Sequence, residues 1–186
     1  MATVLYGKDP LQQVKVFTHN PGNKKNLVFI HGGAWRDPNN TFDDFKIFAE
    51  YLSKNHLNVN VFSINYRLLP TVKHPLHIND VSEALTFLYK EYGVHTASLA
   101  GHSAGATIIC QILDNQATSF GETPKFETCF LMAGVYSIKE LLDECPDYID
   151  FIGEAFSEDQ YSSTKYAFTG KEIPKLVIIE SFEDEL

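Results

Sequence analysis

The chain has 186 residues, 44% hydrophobic and 13% aromatic, which is enough apolar material for one packed domain and too much for a disordered tail. Its 15 basic and 24 acidic residues leave a net charge of −9, which argues against nucleic acid or anionic lipid as a main partner. Glu180, Glu183, Asp184 and Glu185 crowd the C-terminal end, so the body of the chain is only mildly acidic.

Read in order, Val14–Phe17 alternates as a short strand before the turn signal Asn20-Pro21-Gly22-Asn23. Leu27–Ile30 is a continuous apolar run, as in a strand covered on both faces. Asp43–Asn55 spaces Phe45, Phe48, Ala49 and Leu52 as a helix, and Val59–Ile64 is strand-like. Pro75–Tyr92 places Ile78, Val81, Leu85 and Leu88 on one helical stripe. Thr96–Ala100 reads as a strand, Ala104–Leu113 as a helix, Cys129–Ala133 as a strand and Leu176–Ile179 as another buried strand. Pro146–Phe168 is irregular, aromatic and acidic, and is expected to form a helical insertion or lid. Strands separated by helices predict an α/β fold, a mostly parallel sheet with helices on both faces, in a single domain over 1–186.

Compartment is read from what the sequence lacks. MATVLYGKDP has no basic stretch leading into an apolar one, and no apolar run approaches the ~20 residues that span a bilayer. Cys110, Cys129 and Cys145 form no CxxC pair. A cytoplasmic location with free thiols is expected, without a disulfide framework or a metal site.

Two motifs carry chemistry. Gly101-His102-Ser103-Ala104-Gly105 is a G-x-S-x-G pentapeptide with a strand running in and a helix running out. That context predicts a sharp turn presenting Ser103 as a nucleophile, with Gly101 and Gly105 small because the turn leaves no room for side chains. The alternative is a glycine-rich turn with Ser103 near a helix cap. His31-Gly32-Gly33-Ala34-Trp35 follows the strand Leu27–Ile30. Acyl transfer needs N–H donors aimed at the developing oxyanion, and a Gly-Gly turn offers its amides uncrowded. The expected oxyanion hole is therefore the amides of Gly33, Ala34 and Ala104. Here the alternative is an ordinary strand-to-helix turn plugged by Trp35.

With Asn65-Tyr66-Arg67-Leu68 between them, these motifs resemble the α/β-hydrolase fold of the hormone-sensitive-lipase-like group, and more narrowly the fungal kynurenine formamidases (arylformamidases). The matching stretches are His31–Phe45, Gly101–Thr107, Gly134–Leu142 and Ser181–Leu186. The resemblance implies hydrolysis of N-formyl-L-kynurenine to L-kynurenine and formate, a step of tryptophan breakdown towards NAD, with no cofactor. It implies a small-molecule substrate, no nucleic acid and no membrane, and leaves a homodimer open.

A serine hydrolase of this fold orders its residues as nucleophile, acid, histidine. The resemblance in Ser181-Phe182-Glu183-Asp184 places the acid on Asp184, with Glu180 and Glu183 as rivals. None of His19, His31, His56, His74, His77, His95 and His102 follows Asp184, and none is nominated as the base. The chain thus reads as incomplete at its C-terminus, with the last strand, helix and histidine loop of the fold missing, and is expected to be nearly inactive by itself. A carboxylesterase, or a non-catalytic binding protein on the same fold, are the alternatives.

Four lesser readings complete the set. Trp35 either walls an aromatic pocket or plugs the sheet. Tyr66-Arg67 either meets a substrate carboxylate or braces a loop. Asp80 reads as a capping or packing carboxylate. Phe151, Phe156 and Phe168 either line a lid or simply pack.

Overall fold

The computed structural model describes residues 1–55, 58–114, 121–164, 166 and 173–181. Among them, seven strands form one sheet in the order β1-β2-β4-β3-β5-β6-β7. The strands are β1 (Ala2–Leu5), β2 (Gln13–Thr18), β3 (Lys25–Ile30), β4 (Val59–Ile64), β5 (Thr96–His102), β6 (Lys125–Met132) and β7 (Lys175–Ile179). β1 and β2 are antiparallel to each other, β2 is antiparallel to β4, and every pair from β4 to β7 is parallel.

Parallel neighbours need crossover connections, and helices supply them. These are α1 (Lys46–Lys54), α2 (Leu76–Tyr92) and α3 (Ala104–Leu113), followed by the short α4 (Ile138–Glu144) and α5 (Ile149–Ala155). Val61 and Phe62 are consecutive in β4 and so face opposite ways. Phe62 joins Ile30, Ile64, Val81, Leu85, Ile108 and Ile109 in the larger core beneath α2 and α3. Val61 packs with Phe17 and Ala49 beneath α1 in a smaller cluster on the other face. Helices therefore cover both faces of a mostly parallel sheet.

The expected helix over 43–55 divides into a 3₁₀ turn, Phe42–Phe45, and α1. Thr41 causes this: its hydroxyl accepts from the Asp43 N–H while the Asp44 carboxylate accepts from the Thr41 N–H, tightening the first turn. α2 ends as its sequence dictates, on Gly93 in the left-handed region at φ 63°. β6 starts at Lys125 rather than Cys129, because its polar first residues already pair with β5 from Thr96 onwards.

One expectation is corrected. Leu176–Ile179 is not a buried strand, since Ile178 is 61% and Ile179 47% exposed. An apolar run reports strand character but not which faces are covered, and β7 lies at the edge of the described sheet. The segment from Pro146 does form short helices, with 3₁₀ turns at Pro146–Tyr148 and Glu158–Thr164 flanking α5. No described helix is long and apolar enough to cross a membrane.

Candidate active site

β3 and β5 are parallel neighbours with Ile30 paired to Gly101, so the segments that leave their C-terminal ends lie side by side. One is the turn at Ser103, the other the loop His31–Trp35.

Ser103 has φ 50° and ψ −120°, outside the regions an L-residue prefers, and it sits directly before α3. Its N–H donates to Met132 O at 2.8 Å, tying the turn to the end of β6. The flanking glycines are obligatory on steric grounds. A Cβ on Gly101 would lie 2.6 Å from the Ala106 nitrogen, and one on Gly105 would lie 2.2 Å from Ile30 O. The α3 N-terminus therefore packs straight onto the end of β3.

The Gly-Gly loop lies against the serine. A Cβ on Gly32 would stand 3.1 Å from Ser103 Cβ and 2.9 Å from His102 O. Gly33, Ala34 and Trp35 all have positive φ, at 91°, 48° and 61°. The Gly33 carbonyl accepts from the N–H groups of Arg36 and Asp37, both at 2.9 Å, which closes the loop on itself. Among the described residues, none accepts from the N–H of Gly33, Ala34 or Ala104. Free amides beside a serine at a helix N-terminus are chemically suited to stabilise an oxyanion.

The loop is braced from below. Tyr66, 1% exposed, stacks on His31 with ring centroids 4.4 Å apart, and its hydroxyl lies 3.0 Å from His31 O and 3.2 Å from Gly32 O. His31 Nδ1 lies 2.9 Å from Gly32 O, which can only accept, so Nδ1 carries the proton. Burial lowers the pKa of His31, which keeps the ring neutral. Arg67, read as either meeting a substrate carboxylate or bracing a loop, is committed to Asp80 through Nε and Nη2. Asp80 is therefore no helix cap: it accepts from Arg67 and from Gln12 Nε2. Trp35 is a plug, 2% exposed and edge-on to Phe156 at 5.0 Å. The sequence offers a brace at Tyr66-Arg67 but not its partners, because both residues meet other elements.

β5, β6 and β7 all run towards this edge, and the Ala133 N–H donates to Ile179 O, so Glu180 leaves the sheet on the side of Ser103. Asp184 and Glu183 lie outside the described residues, as do His56 and Phe168. His102 is exposed next to Ser103, while His74 and His77 lie at the start of α2, with Phe156 and Tyr66 against them. Among the described residues, no imidazole or carboxylate hydrogen-bonds the Ser103 hydroxyl. A cavity of about 1120 Å³ lies over the α1 face of the sheet, walled by Phe29, Phe45, Phe48 and Phe130, and reaches His102 and Met132, the one adjacent to Ser103 and the other bonded to its N–H.

The BD-FAE family matches residues 15–143. A kynurenine formamidase of Meyerozyma guilliermondii is 40% identical over 97% of this chain and 73% of its own length. The chain belongs to the kynurenine formamidase family. Another member of that family, from Scheffersomyces stipitis, is 33% identical over 98% of this chain and 81% of its own. Among solved structures, esterase B of Lactobacillus rhamnosis superposes with a TM-score of 0.77 at 18% identity, over 94% of this chain and 62% of that one. Esterase 2 of Thermogutta terrifontis gives 0.74 at 18% identity, over 95% and 71%. The chain thus has the α/β-hydrolase fold, and it spans about three fifths of the length of esterase B.

Proposed function

We propose that the chain hydrolyses the formamide of N-formyl-L-kynurenine, giving L-kynurenine and formate in the breakdown of tryptophan. The observation that carries this reading is the 40% identity to a kynurenine formamidase, across a chain in which a Cβ on Gly32 would stand 3.1 Å from Ser103 Cβ.

In the proposed mechanism Ser103 Oγ attacks the formyl carbon and its proton passes to a general base. The carbonyl electrons move onto oxygen, where the Gly33, Ala34 and Ala104 amides receive the negative charge. The tetrahedral intermediate collapses and expels the aromatic amine, which takes up the proton and leaves as L-kynurenine. A water then attacks the formyl-serine, releasing formate and restoring Ser103. Asp184 is proposed as the carboxylate that orients the base. No described histidine is assigned to the base itself. The helical segment from Pro146 is proposed to cover the loop, supported by the Trp35–Phe156 contact and the Arg36–Glu154 ion pair at 3.2 Å. A cytoplasmic setting is proposed from the free thiols of Cys110, Cys129 and Cys145.

The esterase folds of the structural neighbours favour a second reading, a carboxylesterase. Hydrolysis of N-formyl-L-kynurenine and of p-nitrophenyl acetate is compared, alongside calorimetric binding of N-formyl-L-kynurenine to Ser103→Ala. The formamidase reading expects binding of the formamide, a higher kcat/KM for it than for the ester, and loss of both activities in Ser103→Ala. Ester turnover with no formamide binding would establish the carboxylesterase instead.

A further inference from the structure

We infer that Tyr66 is a positioning residue for the proposed oxyanion hole, its buried hydroxyl fixing the two peptide planes that lead into it. This inference rests on the acyl-transfer reading of Ser103.

The argument starts from the geometry of the peptide unit. A trans peptide is planar, with its C=O and N–H pointing in opposite directions. The Gly32 carbonyl and the Gly33 N–H belong to one such plane, and the His31 carbonyl and Gly32 N–H to the one before it. Whatever holds Gly32 O on one side therefore aims the Gly33 N–H at the other. The Tyr66 hydroxyl lies within hydrogen-bond distance of both carbonyls, 3.0 Å from His31 O and 3.2 Å from Gly32 O. One proton is shared between the two planes. The His31 Nδ1–H adds a second donor to Gly32 O at 2.9 Å, and that ring is itself held by stacking on Tyr66 with an interplanar angle of 9°.

The loop needs an external anchor. Two adjacent glycines have the broadest backbone freedom in the chain's repertoire, and Ala34 and Trp35 hold a positive φ that L-residues avoid. Local bonds to the Gly33 carbonyl close one side of the loop, and the Tyr66 hydroxyl holds the two carbonyls before it.

Tyr66 can act as the anchor because its own segment is immobilised. The preceding carbonyl, Asn65 O, accepts from Tyr6 OH at 2.9 Å. The following N–H, that of Arg67, donates to the buried Asp80 carboxylate at 3.0 Å. Three residues on, the Leu69 N–H donates to Trp35 O at 2.9 Å and ties down the far end of the loop. Residues 66–69 thus grip His31–Trp35 at both ends.

The test compares Tyr66→Phe with Thr18→Val. Each deletes one hydroxyl that bonds a backbone carbonyl, Thr18 that of Val59, but only the first touches the loop or the segment that grips it. In Tyr66→Phe, kcat for N-formyl-L-kynurenine is expected to fall roughly 10–100-fold with KM within about twofold, because a misaimed donor acts only on the transition state. The amide order parameters of Gly33 and Ala34 are expected to drop from about 0.85 to below about 0.6. Thr18→Val should leave both readouts unchanged. The assignment is overturned if Tyr66→Phe keeps its kcat and order parameters, or if Thr18→Val lowers them equally. If the unaltered chain neither binds N-formyl-L-kynurenine nor turns over it or p-nitrophenyl acetate, the acyl-transfer reading falls, and the order parameters alone decide the role of Tyr66.

Discussion

Arg67 and Asp80 meet in a two-point ion pair, Nε to Oδ2 at 2.9 Å and Nη2 to Oδ1 at 2.6 Å, with the carboxylate fully buried and the guanidinium side chain 25% exposed. Removing one partner of a buried pair strands the other, whereas replacing both with apolar groups need not. Asp80→Ala is expected to lower the unfolding free energy by about 3–5 kcal/mol. The double variant Arg67→Met/Asp80→Leu should recover part of that loss. Urea unfolding curves of the three proteins check both statements.

The backbone of Ser103 gives a second prediction. Both Ser103→Ala and Ser103→Gly remove the proposed nucleophile, so both should lose whatever hydrolysis the unaltered chain shows. They should differ in stability. Alanine keeps a Cβ at φ 50°, and glycine does not. The glycine variant is expected to be more stable by about 1 kcal/mol, a melting difference of roughly 2–4 °C, measured by calorimetry. Equal melting temperatures would show that the turn carries no strain.

Steric and conformational costs separate at two glycines. Gly93 has φ 63° and open space around its missing side chain, so Gly93→Ala should cost only about 1 kcal/mol of backbone strain. Gly105 is helical, yet a Cβ there would meet backbone atoms of Ile30 and His31. Gly105→Ala must push α3 off the end of β3, and is expected to abolish soluble expression or to separate Ser103 from its loop. Expression yield and circular dichroism of the two variants distinguish the effects.

A fourth prediction concerns acid. Burial pushes the pKa of both His74 and His77 down to about 4 from the ordinary 6.5, with the charges of His74 and Arg67 adding to the effect at His77. Between pH 6.5 and pH 4 the unfolded chain takes up protons that the folded chain refuses, so stability falls as pH falls through that window. Each fully coupled group contributes up to about 1.4 kcal/mol per pH unit. Neither ring nitrogen of the buried His77 has a hydrogen-bond partner. His77→Leu therefore gives up no hydrogen bond, and should flatten the pH dependence of the urea midpoint between pH 7 and pH 5. An unchanged slope would assign the acid sensitivity elsewhere.

The sequence discloses those parts of the site whose constraints are local. Gly101 and Gly105 around Ser103, and the paired glycines after an apolar strand, signal tight approach of backbone to backbone, and that is what these positions show. β3, β4 and β5 were legible because strands buried on both faces read as apolar runs. β7 has the same composition but an exposed face, and composition does not report which side a neighbour covers. α4 went unread although Ser137 stands three residues before Glu140, whose N–H its hydroxyl accepts at 3.2 Å. The partnership of Asp80 with Arg67 and the grip of Tyr66 on His31 and Gly32 are tertiary. They join a loop to a helix and a loop to a loop, and no spacing rule reaches across such gaps.

Because Ile30 and Gly101 are partners in the β3–β5 ladder, the distance from the Gly-Gly loop to Ser103 is measured out by strand register. A slip of one residue would displace one from the other by about 3.3 Å, more than the tolerance of a hydrogen bond, and would turn the core side chains of the strand outward. Beyond the loop His31–Trp35 and the grip of residues 66–69, connections that leave the sheet and return to it do not enter this measurement, so the remainder of the crossovers carrying α1 and α2 is free to lengthen. Within β3 and β5 a single added or lost residue is not neutral. The same sheet that holds the domain together also serves as the gauge of its chemistry, and it divides the chain into stretches where length is free and stretches where it is fixed.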